Sequence, residues 1–375
     1  MKAFASPEPY PYLEINPDHL SQNLEILLKR AENASGKPPK VLIPVKANAY
    51  GFGLDAMMPF FLSRDIFCLG VANVQEGVRV RSLGWKKNIL NLGSFFPENS
   101  AYFFEHEITP TITEIGQIDL LNGRAGELSR VLDIHIKWDT GMGRLGLYPR
   151  DYPDVLEKLR NAGNLRIRGI YTHFPRADYA FKDPTSAQNR IFTEIASRMI
   201  RDLSLRREDI ILHAANSYGV LLHPETRHDM IRPGILFYGY FQSMKDRKKY
   251  FRRFPIRGGL TLKARPFSIR RLKAGDTVSY GSSFTASRSM SVGVFPLGYA
   301  DGIPRAISNR IKFGRHRLLG RVTMDQIILS DVDAPVEIEI LGENTHPLEY
   351  WAEVTGTISY EILTGLGLRL RRVIV

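Results

Sequence analysis

Between residues 41 and 239 eight short apolar runs alternate with seven helical stretches, and no other feature limits the fold as much. The runs are VLIPVK (41–46), IFCLGVAN (66–73), ILNLGSF (89–95), PTIT (110–113), RVLDIHIKWDT (130–140), LRIRGIYTHF (165–174), DIILHAANS (209–217) and DMIRPGILFYG (229–239). Apolar runs of this length read as strands buried on both faces, the habit of parallel sheets. The segments between them predict helices near 54–62, 76–84, 98–107, 114–122, 150–163, 185–203 and 217–222. Such a series argues for an N-terminal (β/α)8 TIM-type barrel. Counting strands leaves an open doubly wound sheet as the alternative.

The first helix has clear start signals. Asn16 suits the N-cap, Pro17 the first helical position and Asp18 the positive end of the helix dipole. Leu20, Leu24, Leu27 and Leu28 then share one face. Before it, Tyr12–Ile15 reads as a short strand. After about residue 245 the pattern changes to short β-rich runs such as VSYGSSFTA, MSVGVFPLGYA and VEIEILG. The fold class is therefore α/β plus β. The expected division is a barrel over 1–245 and a C-terminal mostly β domain over 246–375, with the Tyr12–Ile15 strand available to pack against the latter.

Composition narrows the function classes. A hydrophobic share of 43% and a charged share of 24% are ordinary for a globular chain. The lone cysteine, Cys68, cannot form an internal disulfide, which suits a reducing compartment. The N-terminus lacks a signal-peptide apolar region, and no run reaches the ~20 residues of a membrane span. The expectation is a cytoplasmic protein without a membrane partner. The net charge of +12 is concentrated between Lys245 and Lys273. No nucleic-acid motif accompanies it, so a solvated linker and strand edge is the preferred reading and no nucleic-acid partner is expected. The nine histidines lack ligand spacing, and no metal is expected.

In a barrel of this type the C-terminal strand ends build the active site. Here they carry Lys46, then Lys137, Asp139 and Arg144, then His173, then Asn216 and Ser217, then Arg232 and Gly234. Lys46 ends an apolar strand. Burial disfavours its ammonium form and yields a neutral amine able to attack a carbonyl. The plainer alternative is a lysine whose stem lies along the strand end while its head reaches water.

PVKANAYGFG (44–53) resembles the cofactor-lysine segment of the alanine racemase family. KWDTGMGRLG (137–146), YTHF (171–174), HAANS (213–217), IRPGILFYG (231–239), VSYG (278–281), GYADG (298–302), RVTMDQ (321–326) and ISYEI (358–362) are also similar to that family, in its order and across nearly the whole chain. The resemblance implies pyridoxal 5'-phosphate as cofactor and a homodimer whose active sites take residues from the partner's C-terminal domain. It implies Lys46 as cofactor anchor and as the proton-transfer group on one face of the substrate. Tyr280 of the second subunit takes the opposite face. A tyrosine is rarely ionised at neutral pH, so Arg144 and His173 become candidates to tune it. Arg232 faces the pyridine nitrogen, supported by His173. Ser217, Gly234 and the backbone of Ile235 form the phosphate cradle with Tyr50 and Tyr360, and Asn216 lies beside it. Arg144 approaches the cofactor's phenolic oxygen and the substrate carboxylate, and Met324 and Asp325 meet that carboxylate from the partner. Tyr299, Arg305 and Asp178 lie on the access path, with Asp178 and Arg305 as a candidate pair. Lys137 matches a lysine that is often carbamylated.

The implied reaction is interconversion of L- and D-alanine. A racemase of serine or of a basic amino acid is the nearest alternative. A decarboxylase on the same barrel lacks the two-base arrangement, and a cofactor-binding carrier would need only the barrel. D-alanine supply for peptidoglycan and D-amino-acid catabolism both stay open as roles. The chain departs from the family at Phe52, where many relatives have His, and at Thr323, where many have Cys. RLRR (369–372) replaces the usual R-V-P-R.

Overall fold

In the computed structural model, residues 11–32, 38–178 and 184–375 are described, and the chain divides into two units. One comprises Leu24–Ala49 and Met58–Phe237; the other comprises Tyr50–Met57, Tyr238–Val375 and the N-terminal stretch ending at Asn23. The first nine strands are β1 (Tyr12–Ile15), β2 (Lys40–Pro44), β3 (Cys68–Val71), β4 (Asn88–Asn91), β5 (Thr111–Ile112), β6 (Leu132–Lys137), β7 (Leu165–Tyr171), β8 (Ile211–His213) and β9 (Met230–Ile231).

β2 to β9 build the first unit. They form two four-stranded parallel sheets, ordered β4-β3-β2-β9 and β5-β6-β7-β8. Single parallel bridges join the sheets at both seams, Leu90 with Thr109 and Asn216 with Arg232. Asp229 N–H also donates to Leu212 O at 3.0 Å across the second seam. The eight strands thus follow one another around a ring in chain order, closed by bridges and not by continuous ladders. Each expected helix is present, among them Leu54–Leu62 and Pro184–Asp202.

All eight strands are shorter than their apolar runs, and for two of them the local cause is visible. β6 ends at Lys137 because the Asp139 carboxylate draws the following backbone into a loop: it accepts from Gly141 N at 2.9 Å, Met142 N at 2.7 Å and Arg144 N at 3.0 Å. β9 ends just before Arg232-Pro233-Gly234, since proline has no N–H for a ladder.

The second unit is mostly β. β1 pairs antiparallel with Leu260–Ala264 and parallel with Arg371–Ile374. Leu260–Ala264 also pairs with Ile338–Leu341. A second sheet holds Ser268–Leu272, Met290–Phe295 and Ile327–Ser330. Asn16 caps the first helix as expected, its Oδ1 accepting from His19 N at 3.0 Å. Several cations of the 245–273 stretch are engaged locally. Lys263 pairs with Glu14 at 2.8 Å, Arg247 with Glu349 at 3.5 Å, and Arg257 with Glu343. No helix among the described residues is long and apolar enough to cross a membrane.

Candidate active site

The strand register of the first unit lines up a row of polar side chains. Lys137 on β6 is the Cα partner of Tyr171 on β7, and Tyr171 is the partner of His213 on β8. The Tyr171 ring stacks on His213 with centroids 4.5 Å apart, and Lys137 Nζ lies 5.8 Å from the Tyr171 ring centre. Arg232, just past β9, completes the row: its Nη1 donates to His213 Nδ1 at 2.6 Å, and its Nη2 donates to Thr172 O and Ala214 O. All four residues are buried.

An arginine side chain only donates, so His213 accepts at Nδ1 and its proton sits on Nε2. That nitrogen donates to His135 Nδ1 at 2.9 Å. His135 reaches His213 by crossing β7 at Gly169, where a β-carbon would lie 2.3 Å from the His135 ring. The residue that supports Arg232 is therefore His213, in place of the expected His173. Burial, and then the Arg232 cation, hold both His213 and His173 well below the usual imidazole range. Burial lowers Arg232 to about 10, so it stays protonated at neutral pH. Lys137, with burial as the main cause and Arg144 and Arg232 adding to it, falls to about 8.

Lys46 follows β2 after one residue, Val45, and is half-buried. Burial lowers its pKa, Arg144 lowers it further and Glu76 opposes them. The next four residues, Ala47, Asn48, Ala49 and Tyr50, have φ between 53° and 55°, a left-handed turn made without glycine. Such residues cost roughly 1 kcal/mol or more each, so the turn needs external support. Glu76 supplies some of it: its Oε1 accepts from Ala47 N at 2.7 Å and its Oε2 from Ala72 N at 2.8 Å. Gly51 continues the positive φ at 82°, and a β-carbon there would meet Leu363 O at 2.1 Å.

Arg144 is exposed on the loop that Asp139 organises, close enough to depress both Lys46 and Lys137. Burial alone would push the Asp139 carboxyl up, but its backbone donors outweigh that and hold it low. On the far side of the row, buried Ser217 Oγ accepts from Gly234 N at 2.9 Å and Leu236 N at 3.3 Å. These bonds draw the Gly234–Leu236 backbone against Ser217 and leave the serine proton to donate. Asn216 is the N-cap of helix Ser217–Leu222, its Oδ1 accepting from Gly219 N. Asp178 is half-buried in this unit.

The other expected residues belong to the second unit. Tyr50 is buried; its ring stacks on Tyr238 at 4.8 Å and lies 6.1 Å from Tyr360. Tyr280 sits between two short strands, Thr277–Val278 and Phe284–Thr285, and is 71% exposed. Its neighbours Ser279 and Gly281 have φ of 65° and 66°. Tyr280, Met324 and Asp325 line one hollow of about 430 Å³ with Ser279, Arg321 and Thr323. Thr323 Oγ1 accepts from Gln326 N at 3.0 Å, so this departure from the family closes a turn. The turn is fixed to the segment containing Tyr299: Tyr299 N–H donates to Thr323 O and Ala300 N–H to Met324 O. Arg305 is exposed in the short helix Arg305–Ile307.

Sequence reasoning did not single out His135, His213, Glu76 or Arg369. For His135 and His213 the alternation within LDIHIK and the H of HAANS were the available signals. Only the register shows that the two rings meet.

A half-buried lysine whose pKa burial lowers, at the end of the first apolar run of an eight-stranded parallel ring that also holds a buried Arg–His–His chain, is the arrangement of a barrel enzyme. Residues 15–242 match the alanine racemase N-terminal domain model, and residues 259–374 match the C-terminal domain model. The chain belongs to the alanine racemase family. It is 32% identical to the alanine racemase of Carboxydothermus hydrogenoformans, over 97% of this chain and 99% of that one. The alanine racemase structure from Streptomyces lavendulae superposes with a TM-score of 0.89 at 28% identity, covering 99% and 98% of the two chains. That from Bartonella henselae, described with covalently bound pyridoxal phosphate, gives 0.84 at 25% identity, covering 98% and 100%.

Proposed function

We propose that this protein is a cytoplasmic, pyridoxal-phosphate-dependent homodimer that interconverts L- and D-alanine. Lys46 works from one face of the substrate and Tyr280 of the second copy from the other. The observation that carries this reading is the placement of Lys46, half-buried just past β2 with Arg144 near enough to lower its pKa further than burial alone.

The donor set of the barrel unit fits the cofactor. Lys46 offers an amine for the aldehyde, and Arg232 a permanent donor for the ring nitrogen. The Ser217 hydroxyl, with the Gly234 and Ile235 backbone held beside it, is assigned to the phosphate, and Arg144 is the cation assigned to the phenolic oxygen. Asn216 shapes that cradle by capping the helix that starts at Ser217. Tyr50 and Tyr360 are assigned to the same phosphate. When bound, pyridoxal phosphate supplies the electron sink that makes the substrate Cα–H acidic.

The protein's own groups do the rest. Lys46, neutral for a larger share of the time than an exposed lysine, takes or returns the Cα proton on its face. The Tyr280 phenol does the same on the opposite face, and two opposed groups are what inversion requires. Arg232 holds its proton and is kept in place by His213 and two backbone carbonyls. A guanidinium that donates without releasing its proton restrains charge build-up on the ring and so limits side reactions. Met324 and Asp325 of the second copy receive the substrate carboxylate, and Tyr299, Arg305 and Asp178 flank its approach. An exposed phenol in a strained turn, beside Met324 at 53% exposure, suits a surface that a second copy covers. The buried lone Cys68 agrees with a reducing compartment. D-alanine supply for peptidoglycan is the role proposed for the product.

The purified protein, supplied with pyridoxal phosphate and L-alanine in deuterium oxide, is expected to form D-alanine and to place deuterium at Cα from either enantiomer. Absence of both products rejects the reading. Faster exchange of serine or lysine than of alanine moves the assignment to another amino-acid racemase.

Lys137 is proposed to be carbamylated. With a pKa of about 8, roughly a tenth of its amines are neutral at pH 7 and most are neutral at pH 9. The neutral form is the one that captures carbon dioxide, so the adduct grows as pH rises through that range. Carbon-13-labelled bicarbonate is expected to give a carbamate resonance that disappears in Lys137→Ala. A resonance unchanged in that variant assigns the adduct elsewhere.

A further inference from the structure

The turn bearing Met324 and Asp325 is fastened from outside the hollow by one side chain, Arg369. Its Nη1 donates to Asp325 Oδ1 at 2.8 Å. Its Nε and Nη2 donate to the two carboxylate oxygens of Asp301, both at 2.8 Å. Asp301 is buried, and its Oδ2 also accepts from Gly298 N at 2.8 Å. One guanidinium thus bridges two carboxylates on two segments, 298–301 and 323–326, that are already joined through the backbone. An arginine is suited to this because its planar fork makes three directed bonds at once, which a lysine ammonium cannot reproduce.

The charge matters as much as the geometry. Asp325 lines the same hollow as Tyr280 and Met324. An uncompensated carboxylate there would repel the carboxylate of an approaching amino acid. We infer that Arg369 is a positioning and specificity residue that binds one oxygen of Asp325 and offsets part of its charge, so that this hollow accepts an anionic group. The inference rests on the reading that the hollow of one copy faces the substrate bound in another.

The test compares Arg369→Gln, Arg369→Lys, Asp325→Asn and the double variant Arg369→Gln/Asp325→Asn. KM and kcat are measured with both enantiomers of alanine. Binding of propionate, which is alanine without its amine, is measured by calorimetry. Arg369→Gln is expected to raise KM and weaken propionate about tenfold while kcat changes less than about threefold, the pattern of a like charge left unpaired beside a bound anion. Adding Asp325→Asn removes the charge to be offset and is expected to return both values to those of Asp325→Asn alone. Should Arg369→Gln not fold, because buried Asp301 loses its partner, Arg369→Lys is read instead. It retains a cation without the fork, and a KM rise of about threefold that Asp325→Asn reverses is expected. Wild-type KM and propionate affinity in whichever Arg369 variant is read overturn the inference, as does a double variant no better than its Arg369 parent. A wild-type protein that does not racemise alanine rejects the functional reading instead, and the propionate series still reports on Arg369.

Discussion

Lys46→Ala is expected to lower kcat/KM for alanine at least about 10⁴-fold in both directions, because one residue both anchors the cofactor and moves a proton. The expected loss exceeds what removal of a surface lysine could cause. Lys46→Arg sharpens the test. It preserves the positive charge, but a guanidinium does not become neutral in the working range. If Lys46 served only as a cation, Arg would retain much of the activity; if its neutral amine is what matters, Arg is as inactive as Ala. The lowered pKa of Lys46 sets the direction of the pH effect. The neutral fraction grows as pH rises, and it does so below the range of an ordinary lysine. Reloading of the cofactor-free enzyme is therefore expected to speed up with rising pH. Racemisation by Lys46→Ala within tenfold of the wild type would remove the centre of the functional assignment.

Mixing two inactive proteins is expected to restore activity. Tyr280→Phe keeps the ring and removes only the hydroxyl. Alone it is expected to lower kcat about 10²–10⁴-fold, the usual contribution of one acid–base group. Proton removal from the L enantiomer should suffer more than removal from the D enantiomer. Equal loss in both directions would undo the assignment of faces. If Lys46 and Tyr280 meet across a dimer, a heterodimer of Lys46→Ala with Tyr280→Phe contains one site with both groups intact and one with neither. Random re-association of equal amounts then gives about a quarter of the wild-type sites, a consequence of two-fold symmetry. If both residues of a site came from one chain, mixing would restore nothing. The experiment separates the two cases without a structure of the dimer. Tyr280 stands 71% exposed in a strained turn of the single chain, as a residue reserved for a second copy would.

How much of this was legible in the sequence can be judged from particular residues. The eight barrel strands were visible because strands buried on both faces leave uninterrupted apolar runs, as in Val41–Val45. Lys46 stood out for the same reason, as a charge ending such a run. The N-cap at Asn16 was a local rule and was readable. The ends of β6 and β9 were harder to read. The run through Asp139 is apolar enough to continue, and it stops because the Asp139 carboxylate finds backbone donors later in its own loop. The partner of Arg232 was assigned to His173, whereas the hydrogen bond goes to His213. Both histidines fall at or just past the end of an apolar run, and nothing in the sequence separates them. Arg369 was noticed only as part of an altered C-terminal motif, and its hold on Asp301 and Asp325 was not foreseeable.

The sequence by itself determined the order of elements, the residue types on the barrel rim and, through many short matches, the family. Those properties depend on periodicity and local chemistry, which are written along the chain. The tertiary structure decided which rings share a proton, which carboxylate holds down the left-handed turn after Lys46, and which arginine pairs with Asp325. These depend on register between strands far apart in the chain: one residue of slip would turn Lys137 out of the row it shares with Tyr171 and His213, and would turn His135 away from His213.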